Sequence, residues 1–562
     1  VKDFTEKLLL SFDKRLAAQP ILEEKRSETK RLLAALFWKS ALHSDFPPVV
    51  CLVGGTGTGK STLFNSLADC KISEVGFRRP STLQAVILVS QSFVGQLRAA
   101  PFLRPDVGAH AMVFPHENPG LADLVLVDTP DFDSVELSNR AIADDFFIIS
   151  DILVFIASQE KYADLAGHEM QTRARQWGKK AIFVMNKAVS DTAYDDFKSL
   201  IHALGYEAEP IRIERLEPSP DLIPGLRNRP TFTELLAEAS GRSGKAIRKE
   251  ELGRLRERTL ASLNDLTGSL EFQVQRVAAV NSEIRRILAE VSRGMEAQLD
   301  AIVSDDMEVQ IRNRLQRLLR KYDILFVPRM MVRNAVKSLF RSVADIFVSR
   351  GVGATSQDDE RDIRTEDFEA AKAVARLQPL EWATARLNLA IAEMLSSNPA
   401  LEDLCQVART YVPRWSREEI RAHYDAAFPG MEHLLEAEFN RFRDGLSRTD
   451  ELKLYGSYTL WALFLITAEI VVGGGFSLLD ALLNTVIVPF IPKWLLNLKV
   501  LDVLREIGER VDREHRNTLR GILQEQAELY EEQFSRLVPG DTVLQELRLL
   551  EENLRGWDAR HT

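Results

Sequence analysis

Between about Phe46 and Glu238 short apolar runs alternate with stretches of helical period: Val49–Val53, Ala85–Val89, Leu124–Val127, Ile152–Ile156, Ala181–Met185 and Ile211–Ile213. That alternation predicts an α/β unit on a mostly parallel sheet with helices on both faces. Ahead of it, Phe4, Leu8, Phe12 and Leu16 recur at helical spacing and predict an amphipathic helix. After Gly241 strand signals nearly vanish. Long patterns rich in Glu, Arg, Leu and Ala run to Leu454 and resume at Leu501, where Leu504, Ile507, Val511, Leu519, Ile522 and Leu529 share one stripe. Such a stripe predicts an extended all-α bundle or stalk, with several small all-α domains as the alternative.

The implied organisation has five parts. Residues 1–45 form an N-terminal helix packed with the bundle, 46–240 the α/β domain and 241–452 the stalk. Residues 453–500 form a hydrophobic hairpin, and 501–562 return to the bundle. A chain of 562 residues is too long for a single core. Its 45% apolar and 27% charged residues describe a globular protein, and a net charge of −10 argues against a general nucleic-acid binder. Cys51, Cys70 and Cys405 have neither metal-ligand nor CxxC spacing and are read as reduced thiols in a cytosolic compartment. No secretory signal opens the chain, and its beginning with Val rather than Met is read as a natural start missing from the sequence.

The sharpest chemistry is "GGTGTGKST", Gly54, Gly55, Thr56, Gly57, Thr58, Gly59, Lys60, Ser61 and Thr62, between an apolar run and a helical pattern. This is a full Walker A match in its expected context. Glycines allow backbone N–H groups to close around phosphate oxygens, and a helix N-terminus adds favourable dipole. Lys60 is expected to reach the β- and γ-phosphates, and the Ser61 hydroxyl to ligate Mg²⁺. A metal-side carboxylate is supplied by Asp128, which ends the run Leu124–Val127.

With "RRPST" (Arg78–Thr82), "DTPDFDS" (Asp128–Ser134), "SQEKYAD" (Ser158–Asp164) and "NKAVSD" (Asn186–Asp191), the order of landmarks resembles the translation-factor-type P-loop GTPases, and more narrowly the bacterial dynamin-like GTPases. The detailed match covers about residues 46–200. The resemblance implies that Thr82, with Ser81 as fallback, is the switch I residue that ligates Mg²⁺, and that Asn186 and Lys187 belong to the guanine motif. Three departures stand out. Asp131 replaces the switch II glycine, so its peptide N–H would meet the γ-phosphate with a side chain in the way. Val189 occupies the guanine-reading Asp position, with Asp191 two residues later. Thr56 and Gly57 stand where dynamins carry polar catalytic side chains. No glutamine follows "DTPD", which implies slow intrinsic hydrolysis. Arg78 or Arg79 is a candidate charge-stabilising group across a domain dimer, or an ordinary surface arginine.

The segment Ser457–Leu498 is strongly apolar. Leu460, Leu463–Ile466 and Ile470–Val472 contribute about −0.3 to −0.6 kcal/mol each on the insertion scale, roughly offsetting the 2.5 to 3.5 kcal/mol of the Glu469 charge. Spanning is therefore marginal. Gly473–Gly475 favour a hinged hairpin that dips into or lies on a bilayer, with Leu460, Trp461, Leu463, Phe464, Leu465, Ile466 and Trp494 as membrane contacts. A buried pair inside the bundle is the alternative. Arginines and lysines crowd residues 311–341, which reads as a lipid or backbone-phosphate contact or as a solvated bundle face. His110 and His116 are read as surface-loop residues and His515 as a bundle residue.

The resemblance, taken with the Walker A loop, implies a dynamin-like GTPase with GTP/GDP and Mg²⁺ as cofactors. Its expected partners are a lipid bilayer and further copies of itself through the G domain and stalk, with no specific nucleic acid. Its expected place is cytoplasmic and membrane-associated. A soluble GTPase switch, for instance on ribosomes, and a P-loop ATPase or kinase are the rivals.

Overall fold

A computed structural model describes residues 22–68, 72–73, 85–99, 111–132, 137–214, 241–300, 377–444, 458–483, 487–488 and 499–557. The chain divides into two compact units, residues 1–274 with 538–562, and residues 275–537.

In the first unit α1 (Glu23–Ala41) precedes β1 (Val49–Val53) and α2 (Lys60–Ala68). Then come β2 (Ala85–Ser90), α3 (Val94–Ala99), β3 (Ala111–His116), β4 (Val125–Asp128), α4 (Leu137–Ile149) and β5 (Ile152–Ser158). The sheet is completed through α5 (Leu165–Gln176), β6 (Lys180–Ala188), α6 (Asp191–Ala203) and β7 (Ile211–Glu214), and α7 (Gly241–Asp300) follows. The seven strands lie in the order β3-β2-β4-β1-β5-β6-β7. Strands β4, β1, β5, β6 and β7 run parallel. β2 meets β4 antiparallel, and β3 runs parallel to β2, so these two form a reversed flap on an otherwise parallel sheet.

Both faces of the sheet are covered, which explains the uninterrupted apolar runs. Along β1, Val49, Cys51 and Val53 join a core with Trp38, Phe146 and Phe147, whereas Val50 and Leu52 join Leu63, Phe64 and Leu67 on the opposite face. β3 was not expected. Its residues are half-buried or exposed, and its short apolar run Ala111–Phe114 leads into Pro115, which reads as a loop signal and is tolerated here on an edge strand. His116, read as a loop residue, ends this strand and accepts the Asn118 N–H at 3.1 Å; burial lowers its pKa.

Buried charges fasten α1 and the start of α7 to the base of the sheet. Lys39 pairs with Asp151, both almost fully buried, and the second Asp151 oxygen accepts the Val49 N–H at 2.8 Å. Arg248 donates to the His43 and Phe46 carbonyls at 2.7 and 3.1 Å, beyond the C-terminus of α1. Lys179 pairs with Glu251 at 3.2 Å, and burial pulls its ammonium down to about 8. Such groups are tolerated away from water only because each has a charged or carbonyl partner. α1 thus sits in the same unit as the sheet, and the predicted helix over Phe4–Leu16 lies outside the described residues.

The second unit holds the rest of α7, then α8 (Gln378–Ser397), α9 (Glu402–Tyr411), α10 (Arg417–Ala427), α11 (Pro429–Asp444), α12 (Tyr458–Leu482) and α13 (Val500–Ser535). α13 is the hub against which α8 to α12 pack. Its predicted stripe is buried at Leu504, Ile507, Val511, Leu519 and Ile522, with Leu529 partly so. His515 belongs to this core, its Nδ1 3.3 Å from the Tyr424 hydroxyl. The chain rejoins the first unit as α14 (Asp541–Gly556), whose Leu547, Leu550 and Leu554 share a core with Leu263, Leu266 and Leu270 of α7.

α12 revises the picture of an exposed tip. Leu463, Phe464, Leu465 and Ile466 are buried, and the helix packs on α13 and α11. A helix that is apolar all round finds its cover in protein. Among the described residues one stretch, Leu463–Asp480, is long and apolar enough to cross a membrane, and 72% of it is buried inside the protein. Within the glycine run, Gly475, at φ 78° and ψ 173°, interrupts the helical backbone of α12. Leu460 and Trp461 lie in the first turn of α12; Trp494 and the basic run 311–341 lie outside the described residues.

Candidate nucleotide site

The phosphate loop leaves β1 and enters α2. Gly57 and Gly59 adopt φ of 81° and 96°, the left-handed region that favours glycine. Thr58 closes the loop, its backbone N–H and its hydroxyl both donating to the Gly55 carbonyl at 3.3 and 2.9 Å. A β-carbon at Gly54 would lie 2.4 Å from the Ile156 carbonyl oxygen, so the loop also needs glycine where it passes β5. Ser61 and Thr62 follow in the first turn of α2. The Lys60 ammonium is buried and donates to the carbonyls of Gly54 at 2.7 Å and Gly55 at 3.3 Å, and to Asp131.

Asp128 ends β4 beside this loop and is fully buried. Burial raises its pKa, against the opposing pull of Lys60 and of hydrogen bonds from the Ser73 and Ser61 hydroxyls. The Ser73 hydroxyl donates to Oδ2 at 2.7 Å, while buried Oδ1 has no hydrogen-bond partner. An orphaned oxygen on a carboxylate that the Ser61 hydroxyl also influences offers, with that hydroxyl, hard-oxygen groups that fit Mg²⁺. Ser61 and Asp128 would hold that ion.

Asn65 sets Ser73 in place. Its side-chain oxygen accepts the Ile72 and Ser73 N–H groups at 2.9 and 2.8 Å, and its amide donates to the Ser73 carbonyl at 2.8 Å. Thr129 ties the end of β4 to β1 by donating to the Leu52 carbonyl at 2.8 Å. Neither Ser73 nor Asn65 was singled out by sequence reasoning, because neither belongs to a spaced motif. Thr82, Ser81, Arg78 and Arg79 lie outside the described residues.

Asn186 and Lys187 meet the loop from β6. A register shift between Met185 and Ala188 bulges the strand, and Lys187 takes a positive φ of 56°. Bulges re-aim side chains. Here Asn186 donates to the Thr58 carbonyl and Lys187 to the Gly57 carbonyl, each at 2.8 Å. A β-carbon at Gly59 would stand 2.3 Å from the Asn186 amide nitrogen.

Beyond the bulge, Gln159 of the "SQEKYAD" segment accepts the Val189 and Ser190 N–H groups at 2.7 and 2.9 Å, and Ser190 caps α6. Val189, at the expected carboxylate position, is 65% exposed. Asp191 opens α6 with its side chain 85% exposed and pairs with Arg212 of β7. The structure thus brings together Gly54–Thr62, Asp128, Asp131, Asn186 and Lys187, and gives Asp191 a partner at the sheet edge.

Comparison with known proteins gives the same class. Residues 49–187 match the family described as 50S ribosome-binding GTPase. This segment is a P-loop GTPase domain. A probable transmembrane GTPase, FZO-like and chloroplastic, from Arabidopsis thaliana is 25% identical over 195 residues, which is 35% of this chain. The chain spans only 20% of that relative's length. Two solved structures of an oligomerised bacterial dynamin pair, described in terms of long-range sensing and tethering of membranes, align at 13% and 14% identity. They cover 96% and 99% of this chain and 92% and 95% of theirs, with TM-scores of 0.38 and 0.39. The chain is similar to dynamin-like GTPases, as its landmarks imply.

Proposed function

We propose that this protein is a dynamin-like GTPase that binds GTP with Mg²⁺, hydrolyses it and couples the cycle to a membrane through its helical unit. The observation that carries the reading is the assembled phosphate end, in which Lys60, Ser61 and Asp128 converge at the loop that Asn186 and Lys187 clasp. Lys60 would neutralise the terminal phosphates, and the loop N–H groups would cradle them. Bound Mg²⁺ would offset charge on the β- and γ-oxygens. Thr82 would complete that shell and sense the γ-phosphate. Guanine selection through Asp191 competes with its Arg212 pair, so selectivity depends on which contact the carboxylate keeps.

Membrane contact through α12 requires Leu463–Ile466 to leave α13, with Gly475 as the pivot. Assembly with further copies through the G domain and helical unit belongs to the same reading, as does a cytoplasmic, membrane-associated location. The Arabidopsis relative, described as a probable transmembrane GTPase, supports a membrane connection in general terms. Burial of Leu463–Ile466 favours a second reading, a soluble GTPase switch.

Co-sedimentation with anionic liposomes, with and without a non-hydrolysable GTP analogue, separates the two. The first reading expects nucleotide-dependent binding together with GTP hydrolysis that disappears in Lys60→Ala. Hydrolysis without liposome binding in either state supports the soluble switch. Undiminished hydrolysis by Lys60→Ala removes the enzymatic reading.

A further inference from the structure

A lysine ammonium has three donors and no acceptor. At Lys60 the Gly54 carbonyl, the Gly55 carbonyl and Asp131 Oδ1 are three acceptors for those three donors. Asp131 occupies the position at which the GTPases resembled by this chain have glycine, and its carboxylate is only 17% exposed. A nucleotide phosphate that takes Lys60 must displace one acceptor. The two carbonyls belong to the loop itself, whereas Asp131 lies three residues beyond Asp128, in the connection from β4 to α4. Asp131 is also the acceptor with a charge, and a phosphate arriving beside it meets a like charge with little water between them.

We propose that Asp131 is an affinity-setting latch, whose carboxylate holds Lys60 in competition with the terminal phosphates of a nucleotide. The inference rests on the nucleotide reading of the site and adds a role for the residue that departs from the family pattern. Phosphate binding and release of Asp131 become one event. Phe132, next in sequence, packs against the large core of the first unit. Release of Asp131 therefore pulls on a segment anchored one residue later, and the presence of phosphate is transmitted to the chain between β4 and α4. The carboxylate weakens nucleotide binding and shortens occupancy in exchange for this coupling.

The test is equilibrium binding of GTP, and separately of inorganic tripolyphosphate, to the full chain and to Asp131→Asn. Asparagine keeps the shape and an acceptor oxygen and removes the charge. Both ligands should bind the variant about tenfold more tightly, the scale of one partly buried charged contact. Without ligand its melting temperature should fall or stay level, while the rise produced by GTP should exceed that of the wild type; a merely structural role would not enlarge that rise. If Asp131→Asn fails to fold, Asp131→Gly gives the same comparison. Unchanged or weaker affinity in a folded variant overturns the latch alone. A wild type that binds neither ligand overturns the nucleotide reading, and the latch with it.

Discussion

The phosphate half and the base half of the site are built on different terms. Around Lys60 and Asp128 the groups are buried and most are partnered within the fold, leaving Asp128 Oδ1 orphaned. Around Val189 and Asp191 the side chains are exposed, and order comes from backbone contacts to Gln159 and from one ion pair to Arg212. Buried charged contacts carry large energies, and exposed ones carry little. The contrast teaches that binding strength resides in the phosphate half, while base selection hangs on a lightly held loop.

The largest effect is expected where the phosphate half loses its metal-side oxygens. Ser61→Ala combined with Asp128→Asn should cut Mg²⁺-dependent GTP turnover by about 100-fold or more, the scale of several kcal/mol of charge stabilisation. A malachite-green phosphate assay across a Mg²⁺ series reads it. A loss below tenfold would mean that these oxygens do not hold the ion.

Gly59→Ala strikes the clasp between the halves. The added carbon meets the Asn186 amide in a backbone region that disfavours a side chain, so both halves should suffer together, with about 1–3 kcal/mol lost from the domain. Thermal melting and GTP titration measure the two consequences. Loss of one without the other would break the idea of a shared clasp.

Effects in the base half should be smaller and should change selectivity before strength. Gln159→Ala leaves two N–H groups without their acceptor, and the GTP-to-ATP affinity ratio should fall a few-fold, on the order of one lost hydrogen bond. Arg212→Ala frees Asp191 and should raise that ratio, and Asp191→Ala should lower it. Competition titrations with both nucleotides decide. If neither variant moves the ratio, Asp191 has no part in reading the base.

The smallest effect on nucleotide binding belongs to the second unit. Burial, reinforced by Arg516, lowers His515 from an ordinary value of 6.5 to about 4. Unfolded chain takes up this proton below about 6.5 and the fold does not, so the stability is complete above that pH and is lost as pH falls toward 4. The full span is worth roughly 3 kcal/mol. His515→Gln should flatten acid unfolding of this unit between those values and leave GTP affinity at neutral pH unchanged. An unaltered acid limb would contradict the burial argument.

The two halves also differ in how far they could be read from the residues alone. Gly54–Thr62 and Asp128 were legible because phosphate binding demands fixed residue types at fixed spacing. The six runs that became strands were legible because both faces of the sheet are covered, as the split of Cys51 and Leu52 between two cores illustrates. β3 was not, since Pro115 within its short apolar run reads as a loop, and only the edge position of the strand lets a proline sit there. Ser73 was hidden because its partner Asp128 lies 55 positions away. The Asp131 side chain was foreseen as an obstacle, but its bond to Lys60 depends on the path of the chain after β4. Hydropathy correctly marked Leu463–Ile466 as needing cover, yet it does not distinguish cover by lipid from cover by α13.

The central claim is that Lys60 anchors a nucleotide whose base is chosen elsewhere. Its most direct test is one competition experiment in which GTP, ATP and tripolyphosphate displace a fluorescent GTP analogue from the wild type, with direct titration of all three ligands into Lys60→Ala. The account predicts that GTP outcompetes ATP on the wild type, that tripolyphosphate competes more weakly than either, and that Lys60→Ala loses affinity for all three. Equal affinity for GTP and ATP, or GTP binding that survives in Lys60→Ala, would contradict it.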